Sequence, residues 1–216
     1  MNFFKPLPAI LPLLLLLDTG VIRAQEFYAG PVIGASFTQV DGDTYSGYQK
    51  AGLVVGGFVG RPINENWKIQ LDILYIQKGC RKRPDIESGD DADYLIDLNY
   101  IQFPLTLQLS VGHFSFEGGL SLGRLLWYNE KIWGEPIAEE DQVPFKNTEL
   151  ASVAGLTYRI TPRLMVNGRF NYSITRIREP YDGDIPVYNP HWGRRKQGQY
   201  NDVITISLYY DLFDRR

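Results

Sequence analysis

The sequence is poor in the residues that most soluble chemistry relies on. It has one cysteine, Cys80, so no intrachain disulfide can form, and only two histidines, His113 and His191. Paired histidines at metal-binding spacing are absent, and so is a phosphate loop. Lysine and arginine (22) do not outnumber aspartate and glutamate (25), which leaves a formal net charge of −3. A nucleic-acid partner would favour a basic face, so none is expected. Beyond the N-terminus no apolar run approaches the ~20 residues of a spanning helix. By helical rules the remainder of the chain would be soluble.

The N-terminus itself has a different character. Met1 to Lys5 forms a short n-region, Leu7 to Leu17 an apolar h-region, and Ile22-Arg23-Ala24 a small-residue site. This is the order of a secretory signal. Pro6, Pro8 and Pro12 would break a membrane-anchoring helix. The reading is a signal peptide over 1–24, cleaved before Gln25, and one domain over 25–216. Cys80 lies far from that site, which argues against a lipoprotein anchor, and it is read as an inert thiol.

What the exported part does have is period-two alternation. Trp67, Ile69, Leu71, Ile73 and Tyr75 alternate with Lys68, Gln70 and Asp72. Ile101, Phe103, Leu105, Leu107 and Leu109 alternate with Gln102, Thr106, Gln108 and Ser110. Leu164, Val166, Phe170, Tyr172 and Ile174 alternate with Asn167, Arg169, Asn171, Ser173 and Thr175, and Ile204 to Phe213 repeats the pattern. Alternation on this scale means strands whose two faces meet different surroundings. Segments 114–127 and 148–160 show it less cleanly. Segments 26–40 and 50–61 are glycine-rich, and their register is ambiguous. Eight strands of membrane-crossing length result.

The links alternate as well. Pro62–Asn66, Val111–His113 and Thr161–Arg163 are tight, whereas 41–48, 80–96, 128–147 and 179–200 are long and polar. Short turns at one end and long loops at the other are the habit of outer-membrane barrels. Aromatics gather toward the strand ends: Trp67, Tyr75, Phe114, Phe116, Trp127, Tyr128, Tyr158, Tyr172, Tyr210 and Phe213. Such girdles settle at the headgroup level. The expected fold is therefore all-β, an eight-stranded antiparallel up-and-down transmembrane barrel in the cell outer membrane. A soluble lipocalin-like barrel is the alternative.

Two segments carry a family likeness. Leu74-Tyr75-Ile76-Gln77-Lys78-Gly79 resembles the Tyr-Ser-Gln-Lys-Gly end of the third strand in PorT-like outer-membrane proteins of Bacteroidetes. Tyr100-Ile101-Gln102-Phe103-Pro104-Leu105 resembles that family's Tyr-Leu-Glu-Ile-Pro-Leu fourth strand, with Gln102 in place of Glu. The resemblance implies the barrel fold. Through the family's named member it also suggests an accessory of a protein secretion or transport system.

If the polar faces point inward, the interior charges are Lys68, Asp72, Glu117, Arg159, Arg169 and Asp211, three bases against three acids. Buried charges must be paired, and an even balance fits a self-neutralised interior without an open pore. Catalytic candidates are few. His113 falls in a tight turn. His191, in Asn189-Pro190-His191-Trp192-Gly193, could serve an outer-leaflet lipid-modifying site only with a carboxylate from another loop. No enzyme activity and no cofactor are expected. Asp41-Gly42-Asp43, Asp182-Gly183-Asp184 and the group Asp90, Asp91 and Asp93 could supply calcium ligands, although Asp and Gly are also what turns prefer. The third long loop is acidic. The fourth carries Arg194-Arg195-Lys196, which could clamp lipopolysaccharide phosphates. The expected role is a structural or interaction scaffold in the envelope, with membrane lipids and envelope proteins as partners.

Overall fold

A computed structural model describes residues 27–42, 47–84, 89, 92–137, 143–179 and 198–213. The expected signal segment and its cleavage site lie outside them, as do His191, the Arg194-Arg195-Lys196 run and most of the loop aspartates. Among the described residues there are nine strands: β1 (Tyr28–Asp41), β2 (Lys50–Pro62), β3 (Trp67–Lys82), β4 (Tyr94–Val111), β5 (Phe114–Ile132), the two-residue β6 (Glu135–Pro136), β7 (Thr148–Arg159), β8 (Leu164–Ser173) and β9 (Tyr200–Tyr210). Each long strand pairs antiparallel with its chain neighbours, and β9 returns to β1, so eight strands close into a barrel; β6 only extends the edge of β5. Closure leaves the barrel wall without a free edge where it crosses the bilayer, as the hydrocarbon demands.

The alternation reads directly onto the wall. Ile69, Leu71, Ile73, Phe103, Leu105, Leu107, Leu120, Leu122, Ile206 and Leu208 face outward and exposed, while Lys68, Gln70, Asp72, Thr106, Gln108, Glu117, Asn167, Arg169, Thr205 and Ser207 are buried inside. An apolar outside around a polar inside is the inverse of a soluble barrel. The segments at 63–66, 112–113 and 160–163 are tight turns, and by the loop-length rule they mark the periplasmic end.

The ambiguous register of β1 and β2 resolves once the pairing is known. Their inward positions include Gly30, Gly34, Gly52, Gly56 and Gly60, which leave no side chain to reveal the face. The room they leave is filled by rings from the same and neighbouring strands, Tyr28 on β1 and Tyr209 on β9 packed on Phe58 of β2 at 5.8 and 5.2 Å between ring centroids. A Cβ on Gly52 would lie 2.6 Å from both the Gln77 carbonyl oxygen and Ser36 Oγ. Through that gap the hydroxyls of Ser36 and Thr38 on β1 donate to the carbonyls of Gln77 and Gly79 on β3, at 2.6 and 2.7 Å. Gly79 has φ +127°, a left-handed backbone that favours glycine, and a Cβ there would strike the Ile96 carbonyl.

Strands run further than the sequence suggests on one side. β3, β4 and β5 span 16, 18 and 19 residues, well beyond the ~9–11 a crossing needs, so they rise past the bilayer as a tall wall. A bulge between Asn99 and Tyr100 bends it. Two expected girdle members are corrected here. Tyr128 turns inward against Phe145, and Tyr172 is only 9% exposed, its hydroxyl donating to Asp41 at 2.6 Å. Tyr128 packs on the buried apolar cluster, and Tyr172 stacks on Tyr200 with 6.4 Å between ring centroids. Conversely, Trp133 was not anticipated. It sits 72% exposed at the β5–β6 turn with φ +50°.

Candidate functional site

Three polar layers fill the barrel interior, and their residues come from strands far apart in sequence. In the lower half, Arg169 on β8 reaches across to β3 and β5. Its Nη1 donates to Asp72 Oδ2 at 2.7 Å, and its Nε and Nη2 form a fork on Glu117 at 2.8 and 3.1 Å. Gln70 and Tyr209 also donate to Asp72, and Gln108 and Asn167 to Glu117. All four carboxylate oxygens are thereby satisfied, the condition under which buried charge is tolerated. Gly155, opposite Glu117 on β7, leaves the space this carboxylate occupies: a Cβ there would lie 2.4 Å from Oε1.

The middle layer is a single pair. Lys78 Nζ meets Glu149 Oε2 at 2.7 Å, with both side chains at 0% exposure. The ammonium also sits 4.9 Å from the centroid of the Tyr100 ring. Ser173 and Asn201 donate to the other oxygen of Glu149. Above it, beyond the lipid band, the third layer is built on Arg178. Its Nη1 and Nη2 fork onto Glu130 at 2.9 and 2.6 Å, its Nε donates to the Val143 carbonyl, and its guanidinium stacks 4.2 Å from Phe145. Burial works against the charge on Arg178, but the hydrogen bonds and charge of Glu130 outweigh it and hold the group above its ordinary value. Phe145 and Ile177 belong to a buried cluster with Ile96, Leu98 and Leu125 from the tall wall.

The six charges singled out from the sequence divide into two groups. Asp72, Glu117 and Arg169 form the lower network. Lys68, Arg159 and Asp211 stand below it, around a cavity of about 100 Å³ at the periplasmic mouth. The middle and upper pairs were missed, because Lys78 follows an apolar stretch in β3 and Glu149 opens a strand of weak alternation. Only the register shows that they face each other.

The chemistry candidates disperse. His113, in the β4–β5 turn, lies against the Tyr158 ring with 6.2 Å between centroids. Among the described loop aspartates, Asp41 accepts from Tyr172 and Asp93 pairs with Arg81 at 3.3 Å. Among the described residues no three metal-type ligands come together. One pattern escaped the sequence reading: Gly119-Leu120-Ser121-Leu122-Gly123 has the spacing of a nucleophile elbow. An elbow needs a sharp turn between strand and helix. Here the five residues run straight through the middle of β5, with Ser121 fully buried.

The family comparison agrees with this architecture. The outer membrane protein beta-barrel domain family matches residues 23–179. Among solved structures, the chain is similar to Ail, the attachment invasion locus protein of Yersinia pestis, at 14% identity over 87% of this chain and 99% of that one, with a TM-score of 0.49. Neisserial surface protein A follows at 12% identity, 85% and 96% coverage and a TM-score of 0.44. OprG from Pseudomonas aeruginosa has 14% identity, 87% and 95% coverage and a TM-score of 0.37. No curated protein matches the sequence.

Proposed function

This chain belongs to the outer membrane protein beta-barrel domain family and resides in the outer membrane, and from that premise we propose that it is a non-conducting, non-catalytic scaffold that presents an interaction surface at the cell envelope. One observation carries the reading: charged layers tie opposite walls of the lumen together, Asp72 and Glu117 to Arg169, and Lys78 to Glu149. An ion-selective pore lines its channel with hydrated groups of one predominant sign. Here the charges point at one another and are spent on cross-links. The third layer, with Phe145 and Ile177 packed on the tall wall, adds an apolar stopper on the outer side.

The partners follow from the two surfaces. The apolar band takes lipid, including the acyl chains of lipopolysaccharide. The tall wall, with exposed Trp133 at its tip, offers contact to other envelope components. We also read the chain as a PorT-like member of its family. What supports this is that the two segments carrying the likeness sit on paired strands and meet in the lumen, Lys78 resting on the Tyr100 ring. A secretion-system role draws on that likeness alone.

Single-channel recording of the purified full chain in planar bilayers tests the closed scaffold. The expected record is flat; stable, large conductance steps would overturn it. Affinity capture from detergent-solubilised envelope, wild type against Trp133→Ala, tests the contact surface. Partners held by the wild type and lost with the variant support it, and equal capture by both removes it. Replacing His191 with Ala is expected to leave lipid A unchanged in mass.

A further inference from the structure

The lower network closes the lumen halfway and leaves the periplasmic mouth as a cup. Its volume is about 100 Å³, against a share of ~30 Å³ for a water molecule in the liquid. That suits a group of four or five heavy atoms. The inner end of the cup is lined by Gln70, Gln108 and Tyr209, which donate to the carboxylates of the Asp72–Arg169–Glu117 network behind them. The rim carries Lys68 and Arg159 against one carboxylate, Asp211. Thr157 lines the same side as Arg159, and its Oγ1 accepts the Asn167 amide at 2.9 Å, leaving its own proton to donate into the cup. Lys68 is mostly buried yet lines the opening. Two cations and a hydroxyl donor line a space that opens toward the periplasm, with Lys68 Nζ 5.9 Å from the centroid of the Tyr28 ring on the same lining.

We propose that this cup is a binding site for a small oxyanion, a phosphate or a carboxylate, held between Lys68 and Arg159 and hydrogen-bonded by Thr157. Arg159 supplies the planar fork that such groups prefer, and Lys68 a point charge on the opposite wall. Asp211 limits the ligand to one net negative charge. A dianion would face it across a cavity of only this size.

The test is a titration of the isotope-labelled full chain in lipid nanodiscs, followed by amide NMR shifts of the mouth residues. One arm uses inorganic phosphate. The other uses a short peptide with a free C-terminal carboxylate beside its amidated form. Saturable shifts confined to the mouth are expected with phosphate, with the free-acid peptide, or with both, and none with the amidated peptide. Response to the peptide alone would identify a chain terminus as the source. Arg159→Gln should weaken binding by at least about tenfold. Lys68→Gln should do the same, so the site remains testable if one variant folds poorly by heat-modifiable gel migration. Arg61→Gln, on the exposed outer wall, should change nothing. The proposal is overturned by shifts that never saturate, by Arg159→Gln and Lys68→Gln binding as tightly as wild type, or by equal loss in Arg61→Gln, which would reveal a hydrated vestibule with general charge attraction.

Discussion

The lower and middle charge layers solve the same problem by different means. Below, one guanidinium serves two carboxylates, and amides and a phenol make up the remaining hydrogen bonds. In the middle, one ammonium serves one carboxylate, and an aromatic ring stands where a second acceptor would be. The difference follows from donor geometry. Arginine's five N–H groups lie in a plane and can bridge β3 and β5 at once, whereas lysine is a point charge that a ring face and one oxygen can satisfy. Between these two layers, network size follows the cation's shape.

The comparison breaks first at Arg169. Arg169→Ala leaves two buried carboxylates facing each other and should cost about 4–5 kcal/mol of unfolding free energy, read by equilibrium urea unfolding in lipid vesicles. Glu149→Ala strands a single ammonium that still has the Tyr100 ring, and about 3–4 kcal/mol is expected. The paired change Lys78→Met with Glu149→Leu should recover most of that loss, because no charge is then left buried. If the double variant is no more stable than Glu149→Ala, the pair is not an isolated unit. Arg169→Lys sharpens the contrast. Charge is kept but the fork is lost, for about 2–3 kcal/mol, whereas a network governed by charge alone would not notice. Gly155→Ala pushes Glu117 off its seat and should cost about 1–3 kcal/mol by the same measurement. At the small end, Glu179→Gln removes the exposed partner of Lys146 and Arg176 and should leave the unfolding midpoint unchanged.

How much of this could be read in the sequence depended on whether a side chain marks the face. β3, β4 and β9 announce themselves because large apolar residues alternate with polar ones. Lys68 and Asp72 on β3 were therefore assignable to the inside without coordinates, as were Arg169 from the same alternation on β8 and Glu117 from the weaker pattern of β5. β1 and β2 were not, because glycine at inward positions records nothing about what fills the space; that information lies in Tyr28, Phe58 and Tyr209. Lys78 could have been found by extending the β3 alternation two steps past Ile76 instead of stopping at Tyr75. Its partner could not, since Glu149 lies 71 residues on and only strand order brings them together. The height of the wall was hidden for another reason: above the lipid band, strands no longer need an apolar outer face, so the periodicity that reveals them fades.

The seam between β1 and β9 has a consequence in time. It joins residues at opposite ends of the chain, Val32 to Tyr209 through Asp41 to Tyr200, and Gln39 fastens it to Asp202 at 2.9 Å, with Tyr48 on the same carboxylate. Until the final strand arrives, neither terminal edge has a partner and no amount of earlier pairing can seal the wall. β9 is therefore the strand that completes the wall. A chain cut short before Tyr200 would leave the facing edges of β1 and β8 unpaired, an open sheet that a bilayer does not tolerate.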